Sequence, residues 1–206
     1  MYTPPSGLPF EELWNDHGGS DRNGDAYPVG SARYTYEVGS GAQALVRAAS
    51  GDIIHNQAGF DNVHLRYTGP GALNGGEQYV EGTVANLGSG IEIPELYVRH
   101  GTGGTAVWLS TTTLQLFDWT GSAANGIDSA DVSLSVGGPH TFWVHVTAAG
   151  VVTAGVLGLG VLIPAQSPAS VRASGGHGFG WFRPIGTGLI PFTRHLFGTT
   201  RPAYVV

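Results

Sequence analysis

Residues Thr141–Ala165 read TFWVHVTAAGVVTAGVLGLGVLIPA, and from Ala148 to Ala165 the chain carries no charge. A run of ~18 apolar residues reaches the lower limit for a helix that spans a bilayer. The residue pattern argues for strands instead. Phe142, Val144 and Val146 alternate with Trp143 and His145, which puts the two sets on opposite faces of a strand. Four glycines stand between Gly150 and Gly160, valines are frequent, and Ala148–Ala149–Gly150 is a turn signal. No charged or aromatic anchor flanks the far end. The stretch predicts a hairpin, Thr141–Thr147 returning through Val151–Leu157, and no membrane insertion.

Composition points the same way. The chain has 206 residues, 34 of them Gly, and 12% are charged, about half the usual share of ~25%. Helices do not carry so much glycine, since each one costs ~1 kcal/mol relative to Ala. Short strands joined by Gly turns do. There is no Cys, so the core must hold by burial alone, without disulfide or thiolate metal site. The net charge of −6 argues against a nucleic-acid partner. All nine basic residues are Arg, the habit of a high-GC genome, and every acid lies at or before Asp131. The N-terminal MYTPPSGLPFEELW shows neither the basic nor the apolar region of a standard export signal.

Three regions follow. Residues 1–30 are rich in Pro, Gly and Asn and form an irregular lead-in. Residues 31–165 hold the β domain. Its strand-like runs are ARYTYEV, AQALVRAAS, NVHLRYT, EQYVEGTVANL, IEIPELYVRH, TAVWLSTTTLQLFDW, ADVSLSV and HTFWVHVT. Turn-rich segments such as GPGALNGGE, HGTGGT and TGSAANGIDSA separate them. TAVWLSTTTLQLFDW is long enough for a bend or two strands. Roughly ten strands with turn signals every ~8–15 residues predict an antiparallel sandwich or barrel. Residues 166–206 combine Gly, Pro, aromatics and Arg, and read as an extended basic C-terminal arm too interrupted for long elements.

From Tyr34 to Gly158 the order of QYVEGTVANL, IEIPELYVRH, AVWLSTTTLQLFDW and HTFWVHVTAAGVVTAGVLG resembles the concanavalin-A-like (laminin-G-like) jelly roll. The last piece looks like that family's closing pair of strands. The resemblance implies an all-β, two-sheet antiparallel sandwich. It further implies a module of the kind found in bacteriophage minor tail and fibre proteins.

Glycosidases of this fold carry paired carboxylates, so the acids come first. Glu92 and Glu95 are three apart and fall on opposite faces unless Pro94 marks a bulge. Glu77 and Glu81 are four apart and can share a face, but Tyr79 stands where the motif needs Asp. No catalytic residue is therefore assigned and the chain is read as a non-enzyme. Asp21, Asn23 and Asp25 alternate like the start of a calcium loop. Ala26 and Ala32 replace the Gly and Glu an EF-hand requires, which leaves a looser site or an Asx-turn cluster. The eight His form neither H-x-H nor H-x-x-x-H, so no metal or other cofactor is expected. Sugar stacking needs exposed rings, for which Trp108, Trp119, Trp143, Tyr67, Tyr79 and Tyr97 are candidates. The same residue types also build sandwich cores.

In the arm, Arg183, Arg194 and Arg201 interleave with Trp181, Phe182, Phe192 and Phe197. These residue types are enriched at protein interfaces. A basic arm suits an acidic body, so the seven residues are the expected assembly interface of a homo-oligomer. The expected function is a structural virion protein: a bacteriophage minor tail or fibre component in the extracellular particle. It would contact other virion proteins and a host surface polysaccharide. The alternatives are a soluble carbohydrate-binding, lectin-like module or a capsid decoration protein, with a glycoside hydrolase last.

Overall fold

The computed structural model describes side chains at residues 64–69, 71–88, 92–101, 103–119, 124–167, 174–182 and 190–205. It describes backbone alone at 10–12, 34–38, 45–47, 53–55 and 62–63. Among these residues there are fifteen strands and no helix. They are β1 (Phe10–Glu12), β2 (Tyr34–Val38), β3 (Leu45–Arg47), β4 (Ile53–His55) and β5 (Asn62–Tyr67). Next come β6 (Gln78–Val84), β7 (Ile93–His100), β8 (Gly104–Leu109), β9 (Thr113–Trp119) and β10 (Ala124–Asp131). The last are β11 (His140–Val146), β12 (Val152–Val156), β13 (Gly160–Gln166), β14 (Gly176–Phe182) and β15 (Phe192–Gly198). No helix among the described residues is long and apolar enough to cross a membrane.

Two antiparallel sheets form a sandwich. One is eight-stranded in the order β13-β12-β11-β6-β15-β4-β3, with β1 also on β15; the other is seven-stranded, β10-β9-β8-β7-β14-β5-β2. Consecutive strands repeatedly lie apart while distant ones pair, as a jelly roll requires. The core between the sheets takes alternate residues from each strand, as the pleat dictates. Val80, Val84, Phe142, Val144 and Phe192 come from one sheet; Leu65, Leu96, Val98, Val107, Leu116, Phe179 and Trp181 come from the other.

The opening stretch is β structure. β11 pairs with β12 from Phe142↔Val156 to Val146↔Val152, one residue or less from the hairpin expected. Its turn is closed by Thr147 N donating to Val151 O at 2.9 Å and Gly150 N to Thr147 O at 2.9 Å. Gly150 sits at φ 86°, where a side chain would be strained. Phe142, Val144 and Val146 join the core, and Trp143 faces the other side. LGLGVLIPA then turns again into β13, a third strand that the hairpin reading did not include. β13 is a sheet edge, where its Pro164 is tolerated.

Two further expectations are corrected. TGSAANGIDSA was read as a turn, yet Ala124–Asp131 pairs with β9 through a register shift between Gly126 and Asp128. An edge strand with an open face accepts Asn, Asp and Gly, and those residues hid it. The larger correction concerns the C-terminal arm. β14 lies between β7 and β5 in the middle of its sheet, and β15 lies beside β6 in the other. The sandwich is therefore completed by residues 176–198, not by 31–165 alone. β14 escaped detection because glycine fills every second position, Gly176, Gly178 and Gly180, while His177, Phe179 and Trp181 carry the core face.

Candidate functional site

The outer face of the seven-stranded sheet follows from strand register. Glu95 lies opposite Trp108 of β8 and Gly180 of β14. Trp108 lies opposite Gln115 of β9, and Gly180 opposite His64 of β5. One row therefore crosses five strands: Gln115, Trp108, Glu95, Gly180, His64. The next row contains Phe117, Ala106, Tyr97, Gly178 and Arg66. Glycine at the β14 position of each row lets side chains of β7 and β5 meet over the strand between them. At Gly178 a Cβ would stand 1.8 Å from Leu65 O and 2.6 Å from the Tyr97 hydroxyl.

Across Gly180, Glu95 Oε1 lies against His64 Nε2. The other carboxylate oxygen accepts the indole N–H of Trp108 at 2.7 Å. His64 Nδ1 is 3.0 Å from His100 Nε2. His64 and His100 are fully buried and Glu95 is 1% exposed. The His64 ring is enclosed by Tyr97 at 5.4 Å and Trp119 at 5.2 Å between centroids. Trp108 itself stacks on Phe182 at 4.0 Å and meets Phe117 at 3.6 Å. Trp108 and Phe182 are half-buried, so the row of rings keeps accessible edges beside a carboxylate and imidazoles.

The outer face of the eight-stranded sheet is closed by the chain's own C-terminal residues. Tyr79, Trp143, Leu196 and Val205 form a second buried cluster. Glu81, fully buried, accepts from the hydroxyls of Tyr79 at 2.6 Å and Tyr204 at 3.2 Å, and from Arg194 at 3.0 Å. Burial and the Glu81 charge raise the pKa of the Tyr79 hydroxyl and push that of Tyr204 up to about 12. The Arg201 guanidinium lies 5.5 Å over the Trp143 ring. A separate recess of about 320 Å³ opens between Leu134, Pro139, His140, Thr141, Leu157 and Leu159.

The expected assembly residues thus scatter. Trp181, Phe192 and Phe197 are at most 1% exposed within the chain's own core, so they are not available to a partner. Phe182 stacks on Trp108, Arg194 binds Glu81 and Arg201 covers Trp143. Arg183 lies outside the described residues, as do Asp21, Asn23 and Asp25. Of the sugar-stacking candidates, Tyr67, Tyr79, Tyr97 and Trp143 are at most 1% exposed and Trp119 is 7% exposed. Trp108 alone among the six is half-buried. Glu81 lies on the outer face of β6, and Glu77, just before that strand, meets His145 at 2.8 Å. Glu92 accepts the backbone N–H of Ile190 at 3.2 Å and is not paired with Glu95. Among the described residues no group of three or more His, Asp and Glu is placed to hold a metal ion. The His64–His100 pair beside Glu95 and the stacking of Phe182 on Trp108 were missed, because only the glycine period of β14 could have signalled that β5 and β7 meet.

No known protein family matches the chain, and no curated protein matches its sequence. Solved structures do match its fold. The carbohydrate-binding module CBM66 from Bacillus subtilis superposes with a TM-score of 0.60 at 13% identity, over 79% of this chain and 95% of that one. The carbohydrate recognition domain of Emp46p, in its potassium-bound form, gives 0.60 at 9% identity over 82% and 90%. The apo Crh5 transglycosylase gives 0.58 at 10% identity over 96% and 86%. At such identities the likeness is one of fold: the chain is an all-β jelly roll of two antiparallel sheets, similar in architecture to these modules.

Proposed function

We propose that this protein is a carbohydrate-binding, lectin-like module whose binding surface is the outer face of the seven-stranded sheet around Trp108 and Phe182. The row Gln115–Trp108–Glu95–Gly180–His64 carries the reading. It sets half-buried rings, on which the C–H face of a sugar packs, beside the half-buried Gln115 amide that can address hydroxyl groups, while the buried Glu95 carboxylate holds the Trp108 indole N–H. Such a mix of aromatic lining and a few convergent polar groups is what ligand sites are built from. Two of the structural neighbours named above are a carbohydrate-binding module and a carbohydrate recognition domain, which supports the reading at the level of fold. Binding without turnover is part of the proposal, since Glu92 and Glu95 are engaged separately and do not face each other as an acid pair does. The virion reading rested on resemblance and composition, and the structural neighbours named above lend it no support; the assembly reading rested on a free C-terminal arm, which β14 and β15 inside the sandwich remove.

The test is retention of the purified protein on a panel of immobilised neutral and acidic polysaccharides. At least one should retain it. Trp108→Ala should weaken that binding at least about tenfold, the effect of losing ~1.4 kcal/mol. Retention of none, or equal retention of wild type and Trp108→Ala, overturns the proposal.

A further inference from the structure

We infer that Glu95 is the positioning residue of the ring platform, held by a one-way donor relay that runs from His100 through His64. The inference rests on the glycan-platform reading above and deepens it. An ionised carboxylate only accepts hydrogen bonds. His64 Nε2 lies in direct contact with Glu95 Oε1, where two facing lone pairs would repel each other, so it must carry a proton. A neutral imidazole with its proton on Nε2 has a lone pair on Nδ1. His100 Nε2, at 3.0 Å from that lone pair, must then be the donor. Trp108 Nε1, a donor only, approaches the other oxygen of Glu95 at 2.7 Å. With His64 and His100 both taken as neutral in this inference, each is an Nε2–H tautomer, and donors converge on one carboxylate from β8 on one side and β5 on the other.

Burial gives the relay its strength. With His64, His100 and Glu95 at most 1% exposed, water does not compete for these groups, and hydrogen bonds in such surroundings reinforce one another. The carboxylate fixes the tilt of the Trp108 indole through its N–H, while Phe117 and Phe182 hold the ring by stacking. The platform is then rigid before any sugar arrives, so ordering it adds little to the cost of binding.

The experiment uses the full chain without sugar, by nitrogen-15 spectroscopy of the imidazole and indole groups near pH 7.5. Wild type should show His64 and His100 as Nε2–H tautomers and a protected Trp108 indole proton, identified by its disappearance in Trp108→Phe. In Glu95→Ala that proton should exchange with solvent on the order of tenfold faster. Glu95→Gln is the sharper case. Its amide oxygen keeps the Trp108 bond, while its amide nitrogen donates to His64 Nε2. Both bonds of the relay must then reverse, leaving His64 as the Nδ1–H tautomer with protection of Trp108 retained. An Nδ1–H His64 in wild type, or no tautomer change in Glu95→Gln, overturns the inference. Should Glu95→Ala fail to fold, wild type and Glu95→Gln decide alone. Because no sugar is present, the relay stands or falls separately from polysaccharide retention. Where a polysaccharide is retained, Glu95→Ala should weaken it about tenfold and Glu95→Gln should restore most of the loss.

Discussion

Acidification should unfold this protein through two core histidines. His177 and His195 are fully buried between the sheets, their rings 5.6 Å apart. His177 packs on Phe197 at 4.1 Å and Tyr67 at 5.6 Å; His195 packs on Phe179 at 5.3 Å. Burial pushes the His195 pKa down to about 3. Burial and the His195 neighbour hold His177 well below the usual imidazole value. In the unfolded chain both return to ~6.5. The depressed folded values mean that the unfolded state binds protons first. Stability is complete above pH ~6.5 and drains as the pH falls from there toward 3. At pH 5 each histidine favours the unfolded chain by about 2 kcal/mol, since 1.5 pH units at ~1.36 kcal/mol each separate that pH from 6.5. The figure depends on the unfolded value alone as long as the folded one stays well under 5. Together the pair should remove about 4 kcal/mol between pH 7.5 and pH 5, a window that ends before most carboxylates titrate. Guanidinium unfolding at the two pH values should show the midpoint falling by on the order of 1 M. His177→Leu and His195→Leu should each flatten the pH dependence by about half, even where the substitution lowers stability at neutral pH. A double variant that keeps the full acid loss refutes the reasoning.

Three more outcomes test the fold around the site. Arg99, at φ 50° and 2% exposed, donates to the carbonyls of Gly76, Thr147 and Ala148 at 2.7–3.1 Å. Arg99→Ala leaves those carbonyls without this donor and should cost about 3 kcal/mol in denaturant unfolding. Arg99→Lys should recover only part, because an ammonium lacks the planar fork. Gly178→Ala places a Cβ 1.8 Å from Leu65 O and should destabilise by roughly 3 kcal/mol; a melting temperature equal to wild type would show the β5–β14–β7 register to be wrong. Arg194→Ala removes the guanidinium from fully buried Glu81, but Arg194 is 31% exposed. Solvent screening cuts the expected loss to about 1–2 kcal/mol, measured by double-mutant cycle with Glu81→Gln.

The fold class was legible where the pleat period was legible. In Thr141–Leu157 every residue that alternation put inward is buried, and the Gly150 turn stands where the sequence marked it. TAVWLSTTTLQLFDW resolves into β8 and β9, joined at Ser110–Thr113, as its length allowed. Legibility failed at the edges and at the glycines. β10 and β13 are edge strands with one open neighbour, so polar residues and Pro164 are tolerated there and the hydrophobic pattern breaks down. Exposure was not legible at all. Alternation separated Phe142 from Trp143, but not the fact that Arg201 and Val205 return to cover Trp143. The sequence shows which residues share a face and is silent on what lies over that face.

The C-terminal region was misread for one physical reason, and that same reason builds the site. Glycine was weighed as a breaker, an average that holds when its position is ignored. Read by position, GHGFGWF alternates between nothing and a large side chain, which is a strand buried on one face and flattened on the other. A flattened strand in the middle of a sheet invites its neighbours to lean across it. Tyr97 leans over Gly178, and Glu95 and His64 meet over Gly180. A larger residue at 180 would leave β14 able to pair but would stand between the carboxylate and the imidazole, so the strand and the relay that fixes Trp108 depend on the same glycines.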